Sequence, residues 1–358
     1  MTVRTPAGQP SREPLLQQVH LAVCFPGGGD TTAGADFASY ERLARTAERG
    51  LFDFLLLAEE PRPAGPRGRI PDLDLDLDLG LDLDPDAAGR PEPVTVLNAL
   101  VALTERIGLA ATVDTAFNEP YELARRLATL DHLSAGRAAW NVAASTDLLA
   151  RVAEFLDVSR ELWDSWTPDG IVRPFAHRGQ YFDIAGEFTV PRSPQGHPVV
   201  IRPCDDSPQG REFAASTADV ILTRHGAPEA ARALYAEVKG RLATYGRDRA
   251  DLKIMAEATV VLGDTAAEAW QRAAGAGASD GRRSFVGTPE SVAAEIDDSV
   301  RTGAADGFVL VPHPAPGGLD AFVDRVVPLL QERGAFRAEY AGTTLRSHLG
   351  LRDPVWKG

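Results

Sequence analysis

Two periods alternate along the chain. Short apolar runs of strand length are followed by stretches whose apolar positions recur every three or four residues, as on one face of a helix. The runs His20–Phe25, Phe52–Ala58, Ile107–Val113, Ala138–Val142, His197–Arg202, Asp219–Leu222, Lys253–Leu262 and Gly307–Pro312 are the expected strands. Between them fall expected helices at Phe37–Glu48, Pro93–Thr104, Thr146–Trp166, Pro208–Thr217, Pro228–Tyr245, Ala266–Ala274 and Leu319–Arg333. His177–Val190 reads as a hairpin excursion. The pattern is sharpest from Asn118 to Ser145, where Leu123, Leu127, Leu130 and Leu133 mark a helix. Ser134–Ala135–Gly136 stops that helix, and a doubly covered strand then runs into Asn141 and Ser145. Gly50 is placed to end the first helix in a left-handed conformation. Thr288, Pro289 and Glu290 are the cap, first position and first-turn acid of a helix start.

Eight strands alternating with helices predict a parallel sheet, and its closure gives a (β/α)8 TIM barrel. The rival is an open doubly wound sheet, which needs a Gly-rich phosphate loop after an early strand. Only Pro26–Asp30 (PGGGD) offers one, and its spacing does not match the dinucleotide fingerprint. The expected organisation is a disordered tail over residues 1–16 and one barrel domain over 17–358. In a barrel the C-terminal strand ends carry ligands and chemistry, which places Asn141 and Ser145 on the functional face.

Composition changes this picture little. A chain of 358 residues with 44% hydrophobic and 25% charged residues is ordinary for a globular protein. Two cysteines, Cys24 and Cys204, give no disulfide framework. The first residues lack the apolar core of a signal peptide, and no apolar run reaches bilayer length, so the expected location is the cytoplasm. The net charge of −14 argues against nucleic acid and anionic membranes as partners. Half of it comes from Asp72, Asp74, Asp76, Asp78, Asp82, Asp84 and Asp86, in a low-complexity acidic loop over 71–86. A solvated loop is the plainer reading of that run; a lid or metal role is the sharper one.

Candidate chemistry is sparse, with no triad, catalytic carboxylate pair or metal constellation. His20, opening the first strand, suits a proton donor because its pKa lies near neutrality; the plainer reading is a satisfied structural histidine. His132 reads as structural. His177 and His225 read as surface or pocket residues, Trp140, Trp163 and Trp166 as core, and Cys204 as an ordinary thiol.

Several blocks, taken together, resemble a known family: ERGLFDFLLLAEE, TERIGLAATVDTAFNEPY, LARRLATLDHLSAGRAAWNVAAS, HRGQYFDIAGEFTVPRSPQGHPV, SFVGTPESVAAEI and the C-terminal GAADGFVLVPHPAPGGLDAFVDRVVPLLQERGAFRAEYAGTTLRSHLGL. They are similar to the bacterial-luciferase-like flavin monooxygenases, in the branch of nitrilotriacetate and dibenzothiophene-sulfone monooxygenases. The resemblance implies a (β/α)8 barrel, and this chain is short for that branch, with a shortened insertion region. It implies an enzyme that takes reduced FMN from a separate flavin reductase and activates O2 as a flavin peroxide to oxidise a small organic substrate. It also implies a homodimer. Flavin contacts are implied at Ala58 and Glu59, Asp114 and Thr115, and Asn141 with Ser145, and the phosphate near Asp206, Ser207 and Gly210.

The chain departs from the family pattern at these same places. Glu59 stands for the usual Asp, Asp114 for Ser, and Ala144 for Thr. The phosphate strand ends Arg202-Pro203-Cys204-Asp205-Asp206-Ser207, one residue longer than usual. Two alternatives therefore stay open: a divergent barrel with weakened or lost flavin binding, and an F420-dependent oxidoreductase.

Overall fold

The computed structural model describes residues 18–25, 36–57, 91–143, 148–204, 207–274, 281–311 and 318–357. The expected tail 1–16, the acidic run 71–86, and Ala58, Glu59, Ser145 and Asp206 lie outside them.

In chain order the strands are β1 (His20–Phe25), β2 (Phe54–Leu57), β3 (Gly108–Asp114), β4 (Ala138–Ala143), β5 (Phe175–Arg178), β6 (Asp183–Gly186), β7 (Val199–Pro203), β8 (Val220–Thr223), β9 (Lys253–Leu262), β10 (Arg283–Gly287) and β11 (Gly307–Leu310). The helices are α1 (Phe37–Arg49), α2 (Pro93–Val101), α3 (Pro120–Leu133), α4 (Leu149–Asp164), α5 (Pro208–Thr217), α6 (Pro228–Arg241), α7 (Ala266–Ala274), α8 (Pro289–Arg301), α9 (Gly318–Arg325), α10 (Val327–Glu332) and α11 (Leu345–His348). β1, β2, β3, β4, β7, β8, β9 and β11 pair in that order, all parallel, and β11 pairs back onto β1. The sheet is therefore a closed eight-stranded barrel, and the open-sheet rival is excluded.

Strand alternation sets the two layers. Ala22, Phe54, Leu56, Ala139, Ile201, Leu222 and Met255 fill the barrel interior. Leu21, Leu55, Leu109, Trp140 and Phe308 point the other way and pack under the helices. Leu345, Leu349 and Leu351 join the interior cluster. They plug the end at which the strands begin, and Arg337, Arg346 and Arg352 tie this C-terminal segment to Asp53, Asp219 and Asp251.

Some boundaries differ from expectation. β10 is an additional strand beside the extended C-terminal half of β9, which outruns β8. The single helix expected over Leu319–Arg333 divides into α9 and α10 because Pro328 lacks the N–H that continuity requires. Gly50 is not left-handed (φ −78°); Leu51 takes that conformation instead (φ 58°). Glycine is needed at 50 for space, since a Cβ there would lie 2.6 Å from Val323 Cγ2. The hairpin forms as β5–β6 and is held to α4 by Glu154, which accepts the backbone N–H groups of Gln180, Tyr181 and Phe182.

Candidate active site at the barrel mouth

β3 and β4 end side by side, with Thr112 opposite Asn141 and Asp114 opposite Ala143. The Asp114 carboxylate accepts the Ala116 N–H at 2.7 Å and so caps the short turn Thr115–Phe117. Asn118 Nδ2 donates to the Asp114 carbonyl at 2.7 Å, and Arg151 of α4 donates to the Thr115 carbonyl at 2.9 Å. Thr115 is thereby buried in a fixed turn.

Asn141 shares the inward face of β4 with Ala139 and is 5% exposed. Its Nδ2 donates to Thr112 Oγ1 at 2.9 Å, while its Oδ1 is buried with no partner among the described residues. The Thr112 hydroxyl can donate or accept, so the flipped amide would leave its NH2 unpaired instead. Either way one polar atom of Asn141 is left for a ligand. An orphaned buried group of this kind costs about 1–3 kcal/mol until something pairs with it.

Beyond β7, Ser207 caps α5 by accepting the Gly210 N–H at 2.9 Å. Pro208, at the first position, has no N–H to give. Two of the first-turn donors expected to hold an anion are thus already committed or missing. A cleft of about 550 Å³ opens beside this turn, between the N-terminal halves of α4 and α5, over Leu149, Ala150, Ala153 and Phe213.

Asp114, Thr115, Asn141, Ser207 and Gly210 accordingly gather at one end of the barrel. His20 does not join them. It opens β1 and pairs with Gly307 at the start of β11, the end the C-terminal segment plugs. Its Nδ1 lies 3.2 Å from Asp53 Oδ2, and Asp53 also binds Arg337 and the Leu21 N–H. Burial pushes the Asp53 carboxyl up, but Arg337 and His20 outweigh it and hold its pKa at about 2. His20 is thus placed as part of a structural ion cluster and not as an acid at the mouth, because a barrel strand's beginning and end lie on opposite faces.

One polar cluster at the mouth has no counterpart among the expected site residues. Glu257, inward-facing on β9, accepts Arg224 Nε at 3.1 Å and Arg282 Nε at 2.8 Å. A lone acid inside the apolar run KIMAEATVVL is the sequence signal for it.

A closed barrel with one end plugged and polar side chains gathered at the C-terminal strand ends defines a (β/α)8 enzyme with its site at that mouth. Residues 18–285 match the luciferase-like monooxygenase family, and the chain belongs to it. It is 33% identical to N-acetyl-S-(2-succino)cysteine monooxygenase of Bacillus subtilis (strain 168), across 95% of this chain and 98% of that one. It is also 33% identical to nitrilotriacetate monooxygenase component A of Aminobacter aminovorans, across 89% and 91%. Among solved structures, EDTA monooxygenase from Chelativorans sp. BNC1 superposes with a TM-score of 0.78 at 27% identity, covering 94% of this chain and 99% of that one.

The protein is therefore a monooxygenase, of a family whose cofactor is flavin. F420-dependent tetrahydromethanopterin reductase of Methanopyrus kandleri, at 14% identity and a TM-score of 0.61, shares the fold alone. The alignment with the Bacillus protein spans 453 positions, and 95% of a 358-residue chain fills only about three quarters of them. The chain thus lacks segments that this relative has, in keeping with a shortened insertion region. No helix among the described residues is long and apolar enough to cross a membrane.

Proposed function

We propose that this protein is the oxygenase of a two-component system, taking reduced FMN from a separate flavin reductase and using O2 to oxygenate a small organic substrate. The half-paired carboxamide of Asn141, buried inside the mouth of a luciferase-like barrel, carries the reading. A flavin ring edge presents both N–H and C=O groups, so it answers whichever atom of Asn141 is left over. The name of one relative as a component A supports a divided system. The enzyme works in the cytoplasm as a homodimer.

Reduced flavin, when bound, supplies the two electrons with which O2 gives one atom to the substrate and one to water. The chain's own residues bind, orient and shield. Asn141, fixed by Thr112, sets the ring's position. The Asp114–Thr115 turn, locked by Arg151 and Asn118, gives a rigid wall beside it. Ser207 and Gly210 lie at the phosphate end, where the α5 dipole favours an anion. Ala58, Glu59, Ser145 and Asp206 complete the proposed contact set, and His20 takes no part in it.

A second reading, a barrel that holds the flavin ring but only weakly its phosphate, is favoured by the commitment of the Gly210 N–H and by Pro208. One titration addresses both. Full-length protein is titrated anaerobically with reduced FMN and reduced riboflavin, then supplied with a reductase, NADH and 18O2. Saturable FMN binding with substrate-dependent incorporation of one labelled oxygen is the expected result. Equal affinity for FMN and riboflavin would support the second reading. No binding of either flavin by folded protein would overturn the assignment.

A further inference from the structure

We propose that Arg224, positioned by Glu257 and Arg282, recognises a carboxylate group of the substrate at the barrel mouth. The monooxygenase reading supplies only the word substrate; the binding of a carboxylate stands on the cluster itself.

Glu257 lies on the inward side of β9, two residues beyond the interior residue Met255, with 15% of its side chain exposed. A carboxylate so placed must be paired to be tolerated. It is shared by two guanidinium groups, Arg224 from the end of β8 and Arg282 from the approach to β10. The loops that carry them pack together: a Cβ on Gly226 would lie 3.3 Å from the Gly281 carbonyl oxygen. Arg224 is thus fixed at its Nε and along its loop.

Its other end is not committed. A guanidinium has five N–H groups, and the contact with Glu257 uses the one on Nε. The terminal nitrogens of Arg224 make no hydrogen bond among the described residues, and 62% of the side chain is exposed. Arg282 has contacts beyond Glu257, so the recognising fork belongs to Arg224 and Arg282 helps to set its place.

The plain alternative is a staple joining β8, β9 and β10. An ion pair with one partner this exposed contributes little to stability. The geometry suits recognition better: a planar donor pair, anchored through its Nε to a largely buried acid, stands just past the C-terminal end of β8, where it can take a carboxylate in bidentate fashion.

The test is calorimetric titration of the full-length protein with nitrilotriacetate and with citrate, against the neutral triamide of nitrilotriacetate, at low and high salt. At low salt at least one tricarboxylate should bind about tenfold tighter than the triamide, a preference that salt weakens. Arg224→Ala should abolish the preference and Arg224→Lys restore part of it, both at unchanged melting temperature. No preference in the unmodified protein, or a preference that survives Arg224→Ala, overturns the proposal. FMN titration of the same samples separates the two readings. FMN binding without carboxylate preference removes this proposal alone, and carboxylate preference without FMN binding removes the monooxygenase reading alone.

Discussion

A buried carboxamide with one atom unpaired is poorly explained by folding alone, since a leucine of similar size would avoid the cost. That makes Asn141 a residue whose two roles can be separated. Asn141→Leu should change the melting temperature of the flavin-free protein little, because it removes the orphaned amide atom while the buried Thr112 hydroxyl loses its partner. The same change should weaken reduced FMN by about tenfold or more, the loss of one or two hydrogen bonds to a ligand held out of water. Scanning calorimetry and anaerobic titration read the two effects independently. A destabilised protein with full FMN affinity would return Asn141 to the ordinary core. Asn141 is legible in the sequence because a polar residue closes an apolar run. Its partner Thr112 is not, because 29 residues separate the two and only the β3–β4 register brings them together. His20 is also a polar residue at a strand end, but it opens its strand, and in a barrel that difference is the difference between plug and mouth.

At the scale of elements, each of the eight barrel strands is visible in the period of the sequence, since each is an apolar run bounded by a helix pattern. β10 is harder to see. Its five residues, RSFVG, run directly into the Thr288 cap of α8, and the strand exists because β9 extends past β8 and offers an unpaired edge. The role of the C-terminal segment is not legible either, since its partners are spread over the whole chain. Arg346 shows how it works. It bonds Asp219 through both terminal nitrogens, at 2.9 and 3.3 Å, and donates from Nε to the His197 carbonyl at 3.1 Å, with 5% of its side chain exposed. Burial pushes the Asp219 carboxyl up, but Arg346 and the Val200 N–H hold its pKa below the usual range. Removing one partner strands the other's charge in the interior. Arg346→Ala should therefore cost about 3–5 kcal/mol in urea unfolding, and Arg346→Lys should recover less than half of it, because an ammonium cannot replace the fork. A loss below about 1 kcal/mol would show that the segment is held by its leucines and not by its arginines.

The whole molecule divides its chemistry between the barrel ends: the proposed ligand-binding groups and the Glu257 cluster lie at the ends of the strands, and the C-terminal plug with its ion pairs to Asp53, Asp219 and Asp251 lies at their beginnings. Its acid stability should therefore be governed by the plug. His348 is buried there, its ring 4.7 Å from that of Tyr340. Burial lowers its pKa to about 4, with Asp53 opposing and Arg337 and Arg106 adding. The unfolded chain takes up this proton near pH 6.5 and the folded chain only near 4, so stability falls as pH drops through that window, by on the order of 3 kcal/mol. His197, also lowered by burial, adds to the same slope. Below that range Asp53 takes over. Its folded pKa of about 2 lies under the unfolded value, so its contribution is present above pH 4 and lost as pH falls toward 2. Asp131 works in the opposite direction, because burial raises its pKa and the folded state accepts that proton first. Urea midpoints measured from pH 7.5 to 4 should therefore decline, and His348→Phe, which keeps a ring against Tyr340, should flatten most of the decline while leaving the limb below pH 4 intact. Flavin binding at pH 7.5 should be the same in both proteins, since His348 and Asn141 lie at opposite ends of the barrel. An unchanged slope in His348→Phe would move the acid sensitivity to His197. A changed flavin affinity would show that the plug and the mouth are coupled through the barrel interior.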